Sequence, residues 1–342
     1  MSYPRHELPV LACSFTTMLR NTATRAEIPG FNRRGRVMKL ITAFAAATTA
    51  VTCALLWPRN AVAQSPIPLN PKIHIQYAQP RSALFAPIRQ GLVDRKILEE
   101  YSQVMSPVKL PEDLIVSTEE CPDARVNSDY CTFADECRPG TNAPHAHYIR
   151  ICYEYLAMVQ NESAMPNEKL PPEEALAGAG LLPGFTRGEV IVGGTSFVLM
   201  HETGHAVFDI QNIPRLGHEE DAADQFAGFM MLQFGKPTAL TMVKGAINVD
   251  HTMRARYGFS SSYMQDVHSL DDQRLANILC LAYGSPLGDA FTGLAQSGLP
   301  EARRPNCAFE YKAAETAFGA LDIDKPLFEK VRQLPILQPG DQ

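Results

Sequence analysis

Two histidines four residues apart with a glutamate beside the first, His201-Glu202-Thr203-Gly204-His205, constrain this chain more than any other feature. On an α-helix, positions i and i+4 share a face about one turn apart, so both imidazoles reach one metal ion with Glu202 beside it. Catalytic zinc takes three protein ligands and keeps a further position for water, whose pKa falls towards neutrality there. A carboxylate next to that position suits a general base, which is the role expected of Glu202. The flanking run from Thr195 to Ile210 is mostly apolar, with Phe197, Met200, Gly204 and Val207 or Phe208 at helical spacing, and no charge lies between Glu189 and Glu202. The helix is therefore expected to be buried. Imidazoles and a carboxylate inside an apolar helix need partners, because an uncompensated charge there is expensive, and a dication supplies one. The plainer alternative is an amphipathic helix whose histidines bond backbone carbonyls.

The third ligand has to come from elsewhere. In the extended pattern H-E-x-x-H-x-x-G-x-x-H, the glycine position here holds Phe208 and the last histidine position holds Gln211, which excludes the metzincin class. After a turn at Ile213-Pro214-Arg215-Leu216-Gly217, residues 218 to 232 read as a second helix, acidic in its first turn as the helix dipole favours. Within it Glu220 and Asp224 stand four apart on one face, and Glu219 and His218 are rival ligands. At these residues the sequence resembles the gluzincins. The resemblance implies that Glu220 is the third ligand and that Asp224 orients His201 or His205. A carboxylate on the outer ring nitrogen fixes the tautomer and raises the basicity of a ligating imidazole. Four residues beyond Glu219 lies Ala223, which can orient nothing.

A third segment, residues 266 to 284, starts a helix near Ser269 and Asp272, carries an apolar stripe of Leu270, Ile278 and Leu281, and stops at Gly284. His268 precedes it in a polar loop, where it either donates to the oxyanion of a tetrahedral intermediate or serves as a surface residue. Together HETGHAVFDIQNIP, GHEEDAADQFA, HSLDDQRLANILCLAYG and Ile151-Cys152-Tyr153-Glu154 resemble a bacterial metallopeptidase family of otherwise unknown function, over about residues 75 to 325. The resemblance implies a zincin fold with one zinc ion per chain.

Residues 40 to 57 are apolar, follow Arg33, Arg34, Arg36 and Lys39, and precede Ala61-Val62-Ala63. This is the layout of a secretory signal cleaved before Gln64, with Met38 as its start and residues 1–37 as an extension outside it. The expected organisation is thus 1–37 extension, 38–63 signal peptide and 64–342 one domain. A membrane partner is expected only if the leader is an uncleaved anchor. The remaining chain holds 23 Lys and Arg against 35 Asp and Glu, near −12, which argues against nucleic acid or an anionic membrane surface as partner. Six cysteines remain, Cys121, Cys131, Cys137, Cys152, Cys280 and Cys307, and an even number in an exported chain favours three disulfides. We expect Cys280 with Cys307 and the other four among themselves. A second zinc site from Cys131, Cys137, His145 and His147 is the alternative, without C-x-x-C spacing.

Strands are expected at 73–77, 114–119 and 148–152, with a helix from about Pro87 to Met105 before the second, a loop or lid at 162–186 and helices thereafter. This order predicts an α+β, zincin-like fold: a small sheet packed on the H-E-x-x-H helix, a mainly helical C-terminal lobe, and a zinc cleft between them. The strand 148–152 is the expected edge along which a substrate peptide pairs. The function expected is an exported zinc peptidase, endopeptidase rather than exopeptidase, acting on peptides or proteins. The alternative is an exported zinc-binding module that does not cut.

Overall fold

The computed structural model describes residues 67–121, 128–133, 137, 146–160, 182, 184–215, 217–257 and 271–334. All lie within one compact unit, Ala63–Gln342.

The sheet has the order β1-β2-β4-β3, built from β1 (Ile73–Tyr77), β2 (Leu114–Glu119), β3 (Ser128–Cys131) and β4 (His147–Cys152). β1, β2 and β4 are parallel, with Ile73 opposite Leu114 and Ile115 opposite Tyr148. β3 runs antiparallel to β4, with Tyr130 opposite Ile149. Every residue of β2 is buried, as expected of an inner strand covered on both faces. β4 is also an inner strand, with β2 on one side and β3 on the other. The expectation that residues 148–152 form the edge is therefore overturned. Both flanks of β4 spend their backbone donors and acceptors inside the sheet, and among the described residues β3 is the edge on that side.

The helix expected over 87–105 is two helices, α1 (Ala86–Asp94) and α2 (Ile97–Val104). Lys96 breaks it with φ of 54°. Tyr77 of β1 explains why a break is tolerated. Its hydroxyl accepts from the Leu98 backbone N–H at 2.8 Å and donates to Glu99 at 2.7 Å, satisfying a helix-start donor that would otherwise be orphaned.

Beyond α3 (Tyr153–Val159) comes α4 (Arg187–Ile210), the helix that carries the histidine pair. Thr186 caps it in a reciprocal box with Glu189. α4 is held between the sheet on one side and α5 (Glu219–Met231) and α6 (Lys236–Tyr257) on the other. Gly193 and Gly194 let it touch α6: a Cβ on Gly193 would stand 2.6 Å from the Cα of Gly245. α7 (Asp271–Gly284) and α9 (Cys307–Phe318), with the short α8 (Thr292–Gly298) between them and α10 (Lys325–Val331) after, complete the helical part. One continuous apolar core joins sheet and helices, from Leu114 and Ile149 through Val207 to Met230 and Leu279. The architecture is α+β and compatible with a zincin-like plan.

Three disulfides pair Cys121 with Cys152, Cys131 with Cys137, and Cys280 with Cys307. The expected grouping holds, and the pairing within the first four is now assigned. No described helix is long and apolar enough to cross a membrane.

Candidate metal centre

Three helices converge on the site. His201, Glu202 and His205 come from α4, Glu219, Glu220 and Asp224 from α5, and Arg274 from α7. The α4 turn is buried, with His201, Glu202 and His205 at 6%, 5% and 7% exposure. Gly204 makes this packing possible, since its missing side chain lets Ala223 and Phe226 of α5 lie against α4.

The Nε2 atoms of His201 and His205 stand 3.3 Å apart, and each faces the same Glu220 Oε2, at 3.1 and 3.3 Å. Their outer nitrogens are held from behind by two different carboxylates. His201 Nδ1 lies 2.8 Å from Asp224 Oδ1, and His205 Nδ1 lies 3.0 Å from Glu219 Oε1. With Nδ1–H donated to a carboxylate, each Nε2 can turn a lone pair to the common point once it has lost its own proton. Asp224 in turn accepts two hydrogen bonds from the Arg274 guanidinium, at 2.6 and 2.8 Å. Glu219 is tied to Arg215 at 3.3 Å.

The expected Glu220 and Asp224 positions thus meet the histidines directly. Glu219 stands behind His205 and outside the converging trio. His218 is exposed at the N-cap of α5 and joins no converging group among the described residues. His268 lies outside the described residues. The alternative four-ligand site at Cys131 and Cys137 falls, because those sulfurs are bonded to each other and offer no thiolate.

The electrostatics follow from burial and neighbours. Burial pushes the Glu202 carboxyl up to about 6, while His201 and His205 hold it down. Burial opposes the charged form of His201, but hydrogen bonding to Asp224 and Glu220 overcomes it and raises the imidazole to about 10. His205 is raised against burial by Glu220. Burial also opposes charge on Asp224, yet Arg274 and His201 keep its carboxyl well below the usual range.

Two residues at the site, Arg274 and Tyr130, were not singled out in the sequence. Arg274 lies in an ordinary polar stretch, and the signal for it was the need of a buried Asp224 for a cation. Tyr130, on the edge strand, lays its ring nearly parallel to that of His205, with centroids 6.5 Å apart. Its hydroxyl donates to Asp209 at 2.6 Å and lies 2.6 Å from His147 Nδ1. A four-residue strand between cysteines carries no periodic signal that would have shown it. Tyr130, Tyr155, Phe197, Val198 and Met253 wall a cleft of about 580 Å³ that opens onto His201, Glu202 and His205.

Two imidazole nitrogens and one carboxylate oxygen, all within 4.8 Å of one another, form a ligand set of the type that holds catalytic zinc. Neither a curated protein nor a solved structure matches the chain. One family model covers most of it, residues 77–321, and by this match the chain belongs to the family described as "Putative metallopeptidase".

Proposed function

We propose that this protein is an exported, zinc-dependent peptidase, with His201, His205 and Glu220 as the metal ligands and Glu202 as the general base. The observation that carries the reading is the convergence of both Nε2 atoms and Glu220 on one point, with both Nδ1 atoms held by carboxylates. The set fits one zinc ion per chain, since it offers three ligands and faces an open cleft. Zinc, when bound, supplies a Lewis acid for the scissile carbonyl and acidifies a water. Glu202 lies beside the ligand pair on the cleft, takes the proton of the attacking water and returns it to the departing amine nitrogen. Burial raises its carboxyl above the ordinary glutamate value, which favours taking up the proton. Asp224 and Glu219 keep the imidazoles in one tautomer and one orientation.

Because the cleft is open and β3 forms its rim through Ser128, Asp129 and Tyr130, we place an extended peptide along β3, which favours endopeptidase action. His268 is our candidate donor to the oxyanion. Three disulfides suit export, with the signal at 38–63 removed before Gln64 and the domain at 64–342. Zinc content of the 64–342 chain tests the ligand set: about one ion per chain is expected, and much less in Glu220→Ala. Hydrolysis of unfolded protein substrates should then vanish in Glu202→Gln while zinc stays bound. Zinc without hydrolysis in the wild type would instead make the protein a binding module, and no zinc would remove the reading.

A further inference from the structure

Strand β3 is four residues long and, among the described residues, pairs on one side alone, with β4. A short edge strand frays readily, because little backbone pairing holds it. Side-chain ties therefore decide where it sits. On one face Arg150 bonds Asp129 and the Cys137 carbonyl, each at 2.9 Å, and Cys131 is joined to Cys137. Residues alternate faces along a strand, so Tyr130 turns to the other face, towards α4. Its hydroxyl donates to Asp209 Oδ2 at 2.6 Å, and Thr132, just beyond β3, donates to the same oxygen at 3.1 Å. His147 Nδ1, on the inner strand β4, lies 2.6 Å from the Tyr130 oxygen; with the tyrosine proton given to Asp209, the imidazole is the donor of that contact. Asp209 follows His205 by four positions in α4. It therefore shares the face of both histidines, about 6 Å further along the axis at the helical rise per residue. One phenol thus ties the cleft rim to the sheet and to the ligand face of α4.

We propose that Tyr130 is a positioning residue: its hydroxyl, held between Asp209 and His147, sets where β3 lies along α4, and so aligns a peptide on β3 with the metal. The inference rests on the peptidase reading above, in which β3 carries the substrate. Its effect belongs to turnover rather than to capture. A displaced rim still offers its backbone edge to a peptide, whereas a shift of about 1 Å at the reacting atoms costs about 100-fold in rate. Metal binding should be spared, because the carboxylates behind the two histidines, Asp224 and Glu219, come from α5.

The test is steady-state kinetics of the zinc-loaded 64–342 chain on two fluorogenic peptides centred on one cleavage site, a long one that spans the rim and a short one that does not. Tyr130→Phe keeps the ring and removes the hydroxyl. For the long peptide its kcat should fall by about 10–100-fold with KM and zinc content held, and the short peptide should lose less. Asp209→Ala, at a side chain 34% exposed where folding is not at stake, should reproduce the loss. The double variant should lose no more than either single one, as for two groups acting through one contact. Asp209→Asn, which keeps an oxygen acceptor, should recover most of the rate. An unchanged kcat, a loss confined to KM, a loss shared equally by both peptides, departure of zinc, or additive losses in the double variant would each overturn the proposal. A wild type that holds zinc and cuts neither peptide would overturn the peptidase reading together with this one, whereas an active wild type matched by Tyr130→Phe would overturn this one alone.

Discussion

Arg274 sets how firmly the histidine pair is held. It clamps Asp224, which is 1% exposed, and Asp224 holds His201. Replacing it by methionine would leave the buried carboxylate with His201 as its one remaining partner among the described residues, a loss of up to about 3–5 kcal/mol by the usual cost of breaking a buried pair. The His201 tautomer would loosen too, so zinc affinity should fall by about 10–100-fold, as for other partners of metal-bound histidines. Competition against a zinc-chelating dye reads this, and wild-type affinity in Arg274→Met would show that Asp224 needs no clamp. The raised imidazoles give a second prediction. His201, lifted from 6.5 to about 10, and His205, also raised, carry protons at pH 7 when no metal is held, whereas a metal ligand must be neutral. Zinc uptake at pH 7 should therefore release at least about one proton, and affinity should climb as pH rises from 6 towards 10. The stabilisation that His201 gives the metal-free protein runs the other way: full below its unfolded value near 6.5, lost as pH rises through 10. A binding enthalpy that is the same in buffers of different ionisation heat would contradict the proton release.

Helices α4 and α6 cross at the glycines, and that crossing fixes the depth at which the histidine turn sits. A Cβ on Gly245 would stand 2.2 Å from the Gly193 Cα, so backbone would have to move. Gly245→Ala should cost about 3 kcal/mol or more, above the common range for overpacking, because no flexible side chain can give way. The urea midpoint reports it, and an unchanged midpoint would mean the helices separate cheaply. Helices and strands differed in how far local sequence revealed them. α4, α5 and α7 were legible because an amphipathic period and caps act within a few residues. The division of α1 from α2 was not, because it depends on Tyr77 reaching over from another strand. β3 was missed, and β4 was taken for an edge, because strand neighbours are chosen by distant partners.

Across the molecule, the disulfides span loops of unequal length, 31, 6 and 27 residues. Loop closure lost from the unfolded chain grows with length, so the Cys280→Ala/Cys307→Ala pair should lower Tm more than Cys131→Ala/Cys137→Ala. The reverse order in thermal scans would place the stabilisation in local strain. On the proposed ligand set a zinc ion would join α4 to α5, so chelation should lower Tm and added zinc restore it, by ligand linkage. What the sequence by itself determined was the chemistry within single helices: His201 with His205, and Glu220 with Asp224, because a helix period of 3.6 puts residues four apart on one face. The disulfide grouping, Cys280 with Cys307 apart from the other four, was also anticipated there. Tertiary structure alone decided which nitrogen each carboxylate meets, that Glu219 backs His205, that Arg274 closes on Asp224, and that Tyr130 faces the histidines from an edge strand. Those contacts, with the Tyr130–Asp209 hydrogen bond beside them, join residues up to 79 positions apart, and their geometry follows from how the helices and sheet pack rather than from any local pattern.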